Sequence, residues 1–362
     1  MLMAGQLLYS GQSWAETWQQ GVSSQFSTEY ETNPAMSATN PGSVWRAVFL
    51  PSYALMARVG ESSLNAGLAA RIARASNKTL SPDRDNPSAH LNWSLPSEAG
   101  EFGLSARFAQ MATRDTGGVD ATGNVPANST STSRNLSGSW NKELSERSTF
   151  SVYGAYESIS YKGNGAYTDY STRSGDLKYG YLWNEKITSF LRMAGNRYMP
   201  ANGGKMTSRV EATLGVNWKA EYLDWAVQVG KSRVTGGNSD TQGSITIRYT
   251  GQRTQLTLDA GRAVSSSGLG SYAKSDHVRG GWSYILSEYS NTGIDLERRK
   301  NHSSASVGAS TSTSSGIWLD HSLSDLWRMR TYCSHRTSQG AWGPSASSNL
   351  LGISLVYNTI DF

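Results

Sequence analysis

Few residues of this chain could do acid–base or nucleophilic chemistry. There are 5 His among 362 residues: His90, His277, His302, His321 and His335. Two of them follow an aspartate, as Asp276-His277 and Asp320-His321. An Asp–His pair could orient an imidazole for general-base work. In an extended strand, however, adjacent side chains point to opposite faces, so neither neighbouring pair can make that hydrogen bond. Ser303 and Ser304 follow His302 in a Ser-rich stretch with no nucleophile elbow. No His pair stands at ligand spacing beside a carboxylate cluster, and Cys333 is alone, so neither a disulfide nor a cysteine-based metal centre is expected. The residues predict no enzyme, no cofactor and no metal site.

Charge offers a different chemistry. Arg328 and Arg330 stand two apart, so in a strand they share one face, with Trp327 and Met329 on the other. Such a pair would be hydrated or bridged to acids such as Asp295 or Glu297. The same logic gathers Arg71, Arg107, Lys178, Arg209, Arg248, Arg279 and Arg299 with the acids Glu211, Asp224, Asp259, Asp295 and Glu297. Most of them stand between apolar neighbours. Rings of charge around a water-filled path would select ions or polar solutes.

The elements that must carry these residues are read from a period of two. Leu64, Ala66, Leu68, Ala70 and Ile72 alternate with smaller or polar residues; so do Phe102 to Phe108, Leu177 to Trp183, Val210 to Trp218, and Leu223 to Val229. That pattern is a strand with one apolar face. Short turns are expected near 60–62, 96–100, 142–147, 184–186, 219–222, 251–253, 287–290 and 322–325. Long polar loops are expected near 32–43, 75–88, 114–134, 162–175, 199–208, 235–242, 265–275, 300–315 and 338–348. Seventeen connections join eighteen strands; a weak pattern at 300–320 also permits sixteen. The fold class expected is all-β: a transmembrane, antiparallel, up-and-down β-barrel with short periplasmic turns and long extracellular loops. Aromatics make up 10 % of the chain and Gly 37 residues, which speaks against disorder. No apolar run reaches the ~18 residues of a membrane helix. A net charge of +5 without a Lys/Arg run of five or more makes nucleic acid an unlikely partner.

Tryptophan placement points the same way. Trp93, Trp140, Trp183, Trp218, Trp225, Trp282 and Trp327 lie within a few residues of short turns, as in a periplasmic aromatic girdle. Ser13-Trp14-Ala15 before Glu16 fits a signal-peptidase site. The division expected is a partial signal peptide over 1–15, a periplasmic segment over 16–22 and the barrel over 23–362. The terminal Phe362 after Leu351, Ile353, Leu355 and Tyr357 resembles the signal read by the barrel-assembly machinery. Ile360 and Phe362 fall on the opposite parity, which a bulge at Asn358-Thr359 would restore.

Tyr30-Glu31-Thr32-Asn33-Pro34, the strands around Trp45-Arg46-Ala47 and Pro51-Ser52-Tyr53, and hairpins such as Trp140 to Arg147 resemble proteobacterial outer-membrane barrels. Some of these are encoded with exopolysaccharide or exosortase (PEP-CTERM) systems. The resemblance implies an outer-membrane barrel, embedded among lipid and lipopolysaccharide, with polysaccharide-export partners as an option. It carries over no catalytic residue. The function expected is a porin-like channel for passive diffusion of small polar or anionic solutes. The alternatives are an accessory barrel for exopolysaccharide export and a structural barrel with a plugged lumen. The purified protein should give a β-type circular dichroism spectrum in detergent and change gel mobility on boiling. A helical spectrum, or a soluble monomer without detergent, would contradict the reading.

Overall fold

A computed structural model describes residues 17–40, 42–113, 129–163, 167–237, 239–268, 270, 272–302, 309–340 and 344–359. The eighteen expected strands are all present: β1 (Thr17–Thr32), β2 (Ser43–Val59), β3 (Ser62–Ala75), β4 (Arg84–Ser97), β5 (Gly100–Ala112), β6 (Thr130–Ser145), β7 (Ser148–Lys162), β8 (Tyr170–Asn184), β9 (Ile187–Pro200), β10 (Thr207–Lys219), β11 (Leu223–Val234), β12 (Ser239–Thr250), β13 (Thr254–Ser266), β14 (Tyr272–Ser287), β15 (Ser290–Asn301), β16 (Ser310–Ser322), β17 (Trp327–Gln339) and β18 (Ala346–Asn358). Each pairs antiparallel with its sequence neighbours. The sheet closes where β1 meets β18, from Ser23↔Asn358 to Glu31↔Leu350. Closure gives the strands partners on both sides, which hydrocarbon requires of any backbone it surrounds.

The strands run from 12 residues in β11 to 17 in β2. That exceeds the ~9–11 needed to cross the hydrocarbon, so the loops at the long end are shorter than the sequence suggested. The short turns fall in or beside the segments expected, and several hold a Glu, as in Gly60-Glu61, Glu98-Ala99 and Glu185-Lys186. Three hairpins there carry an extra residue, Leu144, Trp183 or Leu286, and all three side chains are exposed.

Two expectations need correction. β1 starts at Thr17, inside the segment assigned to the periplasm, and Thr17–Val22 pair with β2. Alternation is weak there because Gln19, Gln20 and Gly21 sit together, which hides a strand. The β1–β18 register also continues to Thr359, whose N–H donates to the Val22 carbonyl at 3.1 Å, so no bulge intervenes at Asn358-Thr359. The signal-peptide region 1–15, residues 114–128 of the longest loop, Ser303 and Ser304, and Ile360 and Phe362 lie outside the described residues.

The register divides every strand into two faces. One carries Phe26, Phe49, Leu68, Leu104, Leu136, Leu177, Leu191, Leu214, Val229, Leu258, Leu296, Ile317 and Leu351, all exposed. The other carries Ser, Thr, Asn and charged residues. Side chains that skip a strand to meet each other mark the concave side, and they come from the polar face. Tyr332 of β17 reaches Glu29 of β1 at 2.9 Å, and Gln242 of β12 reaches Glu211 of β10 at 2.9 Å. The polar face is therefore internal and the apolar face external, the inverse of a water-soluble protein.

Leu214 is 61 % exposed on the outside, while Thr213 beside it is 5 % exposed inside. Thr213 is crowded, with its hydroxyl near Gly230, so it does not offer the open solvent that strand parity alone suggested. Leu214→Arg should destabilise the barrel in lipid vesicles by ~2–4 kcal/mol, the cost of an Arg at the bilayer midplane. Ser137→Arg, on the inner face and less enclosed, should cost much less. Equal folded yields of the two variants would reverse the assignment of faces.

Candidate functional site

The inner wall is the site to be explained. By register, the face internal to the barrel holds Arg71, Arg107, Lys178, Arg209, Arg248, Arg279, Arg299, Arg328 and Arg330, with Glu211, Asp224, Asp259, Asp295 and Glu297. Many of them pair with one another. Arg209 meets Glu211 at 3.0 Å, and Glu297 accepts from both Arg279 (3.1 Å) and Arg299 (3.4 Å). Arg330 does not reach Asp295 or Glu297. It lies directly across from Asp320, whose two carboxylate oxygens it grips at 2.5 and 2.7 Å. Its guanidinium also lies over the Trp318 ring, 4.9 Å from the centroid. Asp320 and Arg330 are ten residues apart in the chain, and only the β16–β17 register sets them face to face.

One of the most enclosed charges is one the spacing did not reveal. Arg46 on β2 is 5 % exposed. Its Nη2 lies 2.9 Å from Glu29, and Nη1 donates to Glu31. Glu29 also accepts from the Tyr332 hydroxyl at 2.9 Å and has Arg71 at 3.9 Å. This knot ties β1, β2, β3 and β17 together across the closure. Val44 and Val48 flank Arg46 on the same buried face, and these apolar neighbours erase the alternation that would have exposed it. A second knot joins Arg192 to Asp176 (2.9 Å) and Glu211 (3.3 Å). Among the described residues Arg107, Lys178, Arg248, Arg328 and Arg336 join no ion pair; nor do the acids Glu157, Asp224 and Asp295.

Aromatic rings lie flat on this wall where the strand opposite supplies glycine. A Cβ on Gly293 would stand 2.4 Å from the Trp318 ring, and one on Gly352 would stand 2.3 Å from that of Tyr332. Trp318, Tyr332, Arg330, Arg336, Asp295 and Glu297 surround an inner recess of about 530 Å³. The seven tryptophans near short turns instead lie on the external face: Trp93, Trp140, Trp183, Trp218, Trp225, Trp282 and Trp327. Trp218 and Trp225 stack across the β10–β11 turn with centroids 6.2 Å apart.

At the long-loop end the β13–β14 hairpin folds inward. Val264, Tyr272 and Lys274 belong by parity to the external face, yet they meet internal residues of other strands. The Tyr272 hydroxyl donates to Asn196 Oδ1 on β9 at 2.6 Å, and its ring lies 5.8 Å from the Arg209 guanidinium. Lys274 pairs with Asp240 on β12 at 2.5 Å, and Arg209 donates to the Val264 carbonyl. Tyr198, fully buried, donates to the Ser267 carbonyl and packs on Tyr170 at 4.9 Å. The outer face of the hairpin tip therefore lies against the inner wall of β8–β12, and the tip occupies part of the mouth. Sequence placed a loop at 265–275 but could not show where it goes, since its partners lie far away in the chain.

The imidazoles take partners across the sheet. His277 meets Asp259 at 2.7 Å, and His302 meets Asp276 at 2.8 Å. Asp276 is also held by Arg262 at 2.6 Å. His321 holds the Ser290 hydroxyl at 2.8 Å, but its neighbour Asp320 faces the other way, toward Arg330. Among the described residues no acid pairs with that imidazole. Among the described residues no group of three His, Cys, Asp or Glu is placed to hold a metal ion.

No protein-family model matches the chain, and no curated protein does. Solved structures do. The outer membrane protein opdK from Pseudomonas aeruginosa aligns over 94 % of this chain and 99 % of its own with a TM-score of 0.53 at 9 % identity. OccK7 (OpdD) from the same bacterium gives 0.52 at 10 % identity over 95 % and 100 %. A BenF-like porin from Pseudomonas fluorescens Pf-5 gives the same values. At such identities the likeness is one of fold. This chain has the closed, eighteen-stranded antiparallel barrel of outer-membrane channels.

Glu29→Gln should lower stability in vesicles by ~1.5–3 kcal/mol, because it weakens charge-assisted hydrogen bonds to the enclosed Arg46. Arg328→Gln should stay within ~0.5 kcal/mol. Urea midpoints measured side by side test this. Equal midpoints would show that the Arg46 knot does not brace the closure.

Proposed function

We propose that this protein is a passive channel of the bacterial outer membrane for small polar solutes, with a mild preference for anions. The observation that carries the reading is the inverted barrel: a closed sheet with exposed apolar side chains outside and paired and unpaired charges inside. A barrel of this strand number leaves an aqueous path unless loops fill it. The inner charges named from the sequence are the proposed pore lining, and the tryptophans near the turns are the proposed periplasmic girdle. Likeness of fold to the BenF-like porin and to opdK supports a channel over an enzyme.

The preference for anions rests on the charges that pairing leaves over. On the inner face of the described strands Arg58, Arg107, Lys178, Lys219, Arg248, Arg328 and Arg336 outnumber Glu101, Glu143, Glu157, Asp224 and Asp295. Arg330 drops out, because Asp320 neutralises it. Export of a polymer, the option raised by the exopolysaccharide resemblance, gains no support: the inward β13–β14 tip narrows the mouth. The wall charges and the inner recess also favour an open lumen over a plugged one.

Planar-bilayer recording tests the proposal. The purified barrel should conduct, and under a low-salt gradient the reversal potential should favour anions. Arg107→Gln combined with Arg328→Gln and Arg336→Gln should move it toward cations. The shift should fade in high salt, as the Debye length falls from ~30 Å at 0.01 M to ~3 Å at 1 M. Arg330→Gln should instead lower stability. A barrel that inserts but never conducts would contradict the channel reading.

A further inference from the structure

The outer face carries a feature that a diffusion channel does not need. Toward the long-loop ends of β6, β8, β9 and β11 stand Arg134, Arg173, Arg197, Lys231 and Arg233. By register all five point outward, and all are exposed. Arg173 and Arg197 are direct cross-strand partners. Like charges directly opposite each other destabilise a sheet. The acids of these strands and their neighbours, Glu101, Glu143, Glu157, Asp176, Glu211, Asp224 and Asp240, all belong to the inner face by the same register. None of the five cations joins an ion pair among the described residues. Near the same end Arg74 pairs with Asp85 at 2.7 Å and Arg262 with Asp276 at 2.6 Å; Arg298 and Lys300 on β15, also outward and in no ion pair among the described residues, stand apart from the five.

Directly beneath these cations the surface is hollow. A groove of about 650 Å³ is lined by Val152, Leu177, Met193, Val210 and Ala212 and bordered by Lys231 and Arg233. Its floor is a row of facing glycines, Gly154↔Gly175 and Gly175↔Gly195, continued to Gly138 on β6. A Cβ on Gly195 would meet nothing within 4 Å, and one on Gly154 or Gly175 would meet only backbone at 3.6–4.0 Å. The groove is therefore open outward and apolar, and it starts two residues below the Arg173–Arg197 pair.

We infer that this surface seats a phosphorylated, multiply acylated glycolipid of the outer leaflet, with a phosphate across Arg173 and Arg197 and an acyl chain in the glycine groove. The inference rests on the outer-membrane placement of the barrel, with long loops outside. The chemistry selects the occupant. Arginines suit phosphate because their planar donors bind it bidentately. An anion between Arg173 and Arg197 would turn their repulsion into attraction. A second copy of this chain is disfavoured, since a two-fold contact through the same patch would set cations against cations. A zwitterionic phospholipid would fill the groove but would not balance the uncompensated charge.

The test measures binding of diphosphoryl lipid A to the detergent-purified barrel by native mass spectrometry and by competition in phosphatidylcholine vesicles. The wild type should bind it at least tenfold more tightly than dephosphorylated lipid A. Combining Arg173→Gln, Arg197→Gln, Lys231→Gln and Arg233→Gln should remove that difference, given the contribution of each basic residue near an anionic surface. Gly175→Leu with Gly195→Leu should weaken both lipids. Folding of each variant is checked by heat-modified gel mobility, and bilayer conductance is recorded on the same samples. Unchanged conductance with lost lipid A binding supports the site. Equal binding of the two lipids by the wild type, undiminished binding by the fourfold variant, or a stable dimer through this face would overturn it. Loss of conductance in the wild type would strike the channel proposal and leave the lipid result intact.

Discussion

Everything in this structure depends on pairing the backbone of strands that lie in hydrocarbon. An unpaired N–H or C=O there costs several kcal/mol, and an open sheet would leave a whole edge of them. The β1–β18 seam is therefore the critical contact, and the wall is reinforced near it. Arg46, Glu29, Glu31, Arg71 and Tyr332 lock strands from both sides of the seam. Asn33, in the loop after β1, adds a hydrogen bond from its amide to the Ser347 carbonyl at 3.0 Å. Ion pairs are worth little on a water-exposed surface, but here they lie on an enclosed wall, where breaking one partner leaves the other poorly solvated.

Closure also decides what each face can do. Outside, apolar side chains meet lipid and need no core. This is why a chain with 37 % hydrophobic residues can fold without a large interior. Inside, charges can be kept because water and opposite charges share the lumen. The rigid Trp318 and Tyr332 rings, laid flat over Gly293 and Gly352, leave room along the wall. The inward hairpin takes some of that room back on the other side.

The sequence made the strands legible where the two faces differ strongly. β10 and β11 alternate without a break from Val210 to Val229, and their turn lies where the Lys219–Tyr222 cluster predicts it. β1 and β2 were harder to read, because Gln19-Gln20-Gly21 and the Val44–Arg46–Val48 face do not alternate cleanly. Individual inner charges followed from parity, but their partners did not. Arg330 chose Asp320, which only the β16–β17 register could reveal. The β13–β14 tip and the glycine row were invisible for the same reason: both arise from residues far apart in sequence that the register brings together.

The central claim is that one face of each strand meets lipid and the other meets water. Single cysteines placed in turn along β10, from Val210→Cys to Trp218→Cys, in a Cys333→Ser background, test it most directly. In vesicles, labels at 210, 212, 214 and 216 should be quenched by lipid-borne quenchers. Positions 211, 213, 215 and 217 should escape the lipid quenchers, with a water-soluble thiol reagent reaching those that the wall does not enclose. A smooth profile, without a period of two, would contradict the account.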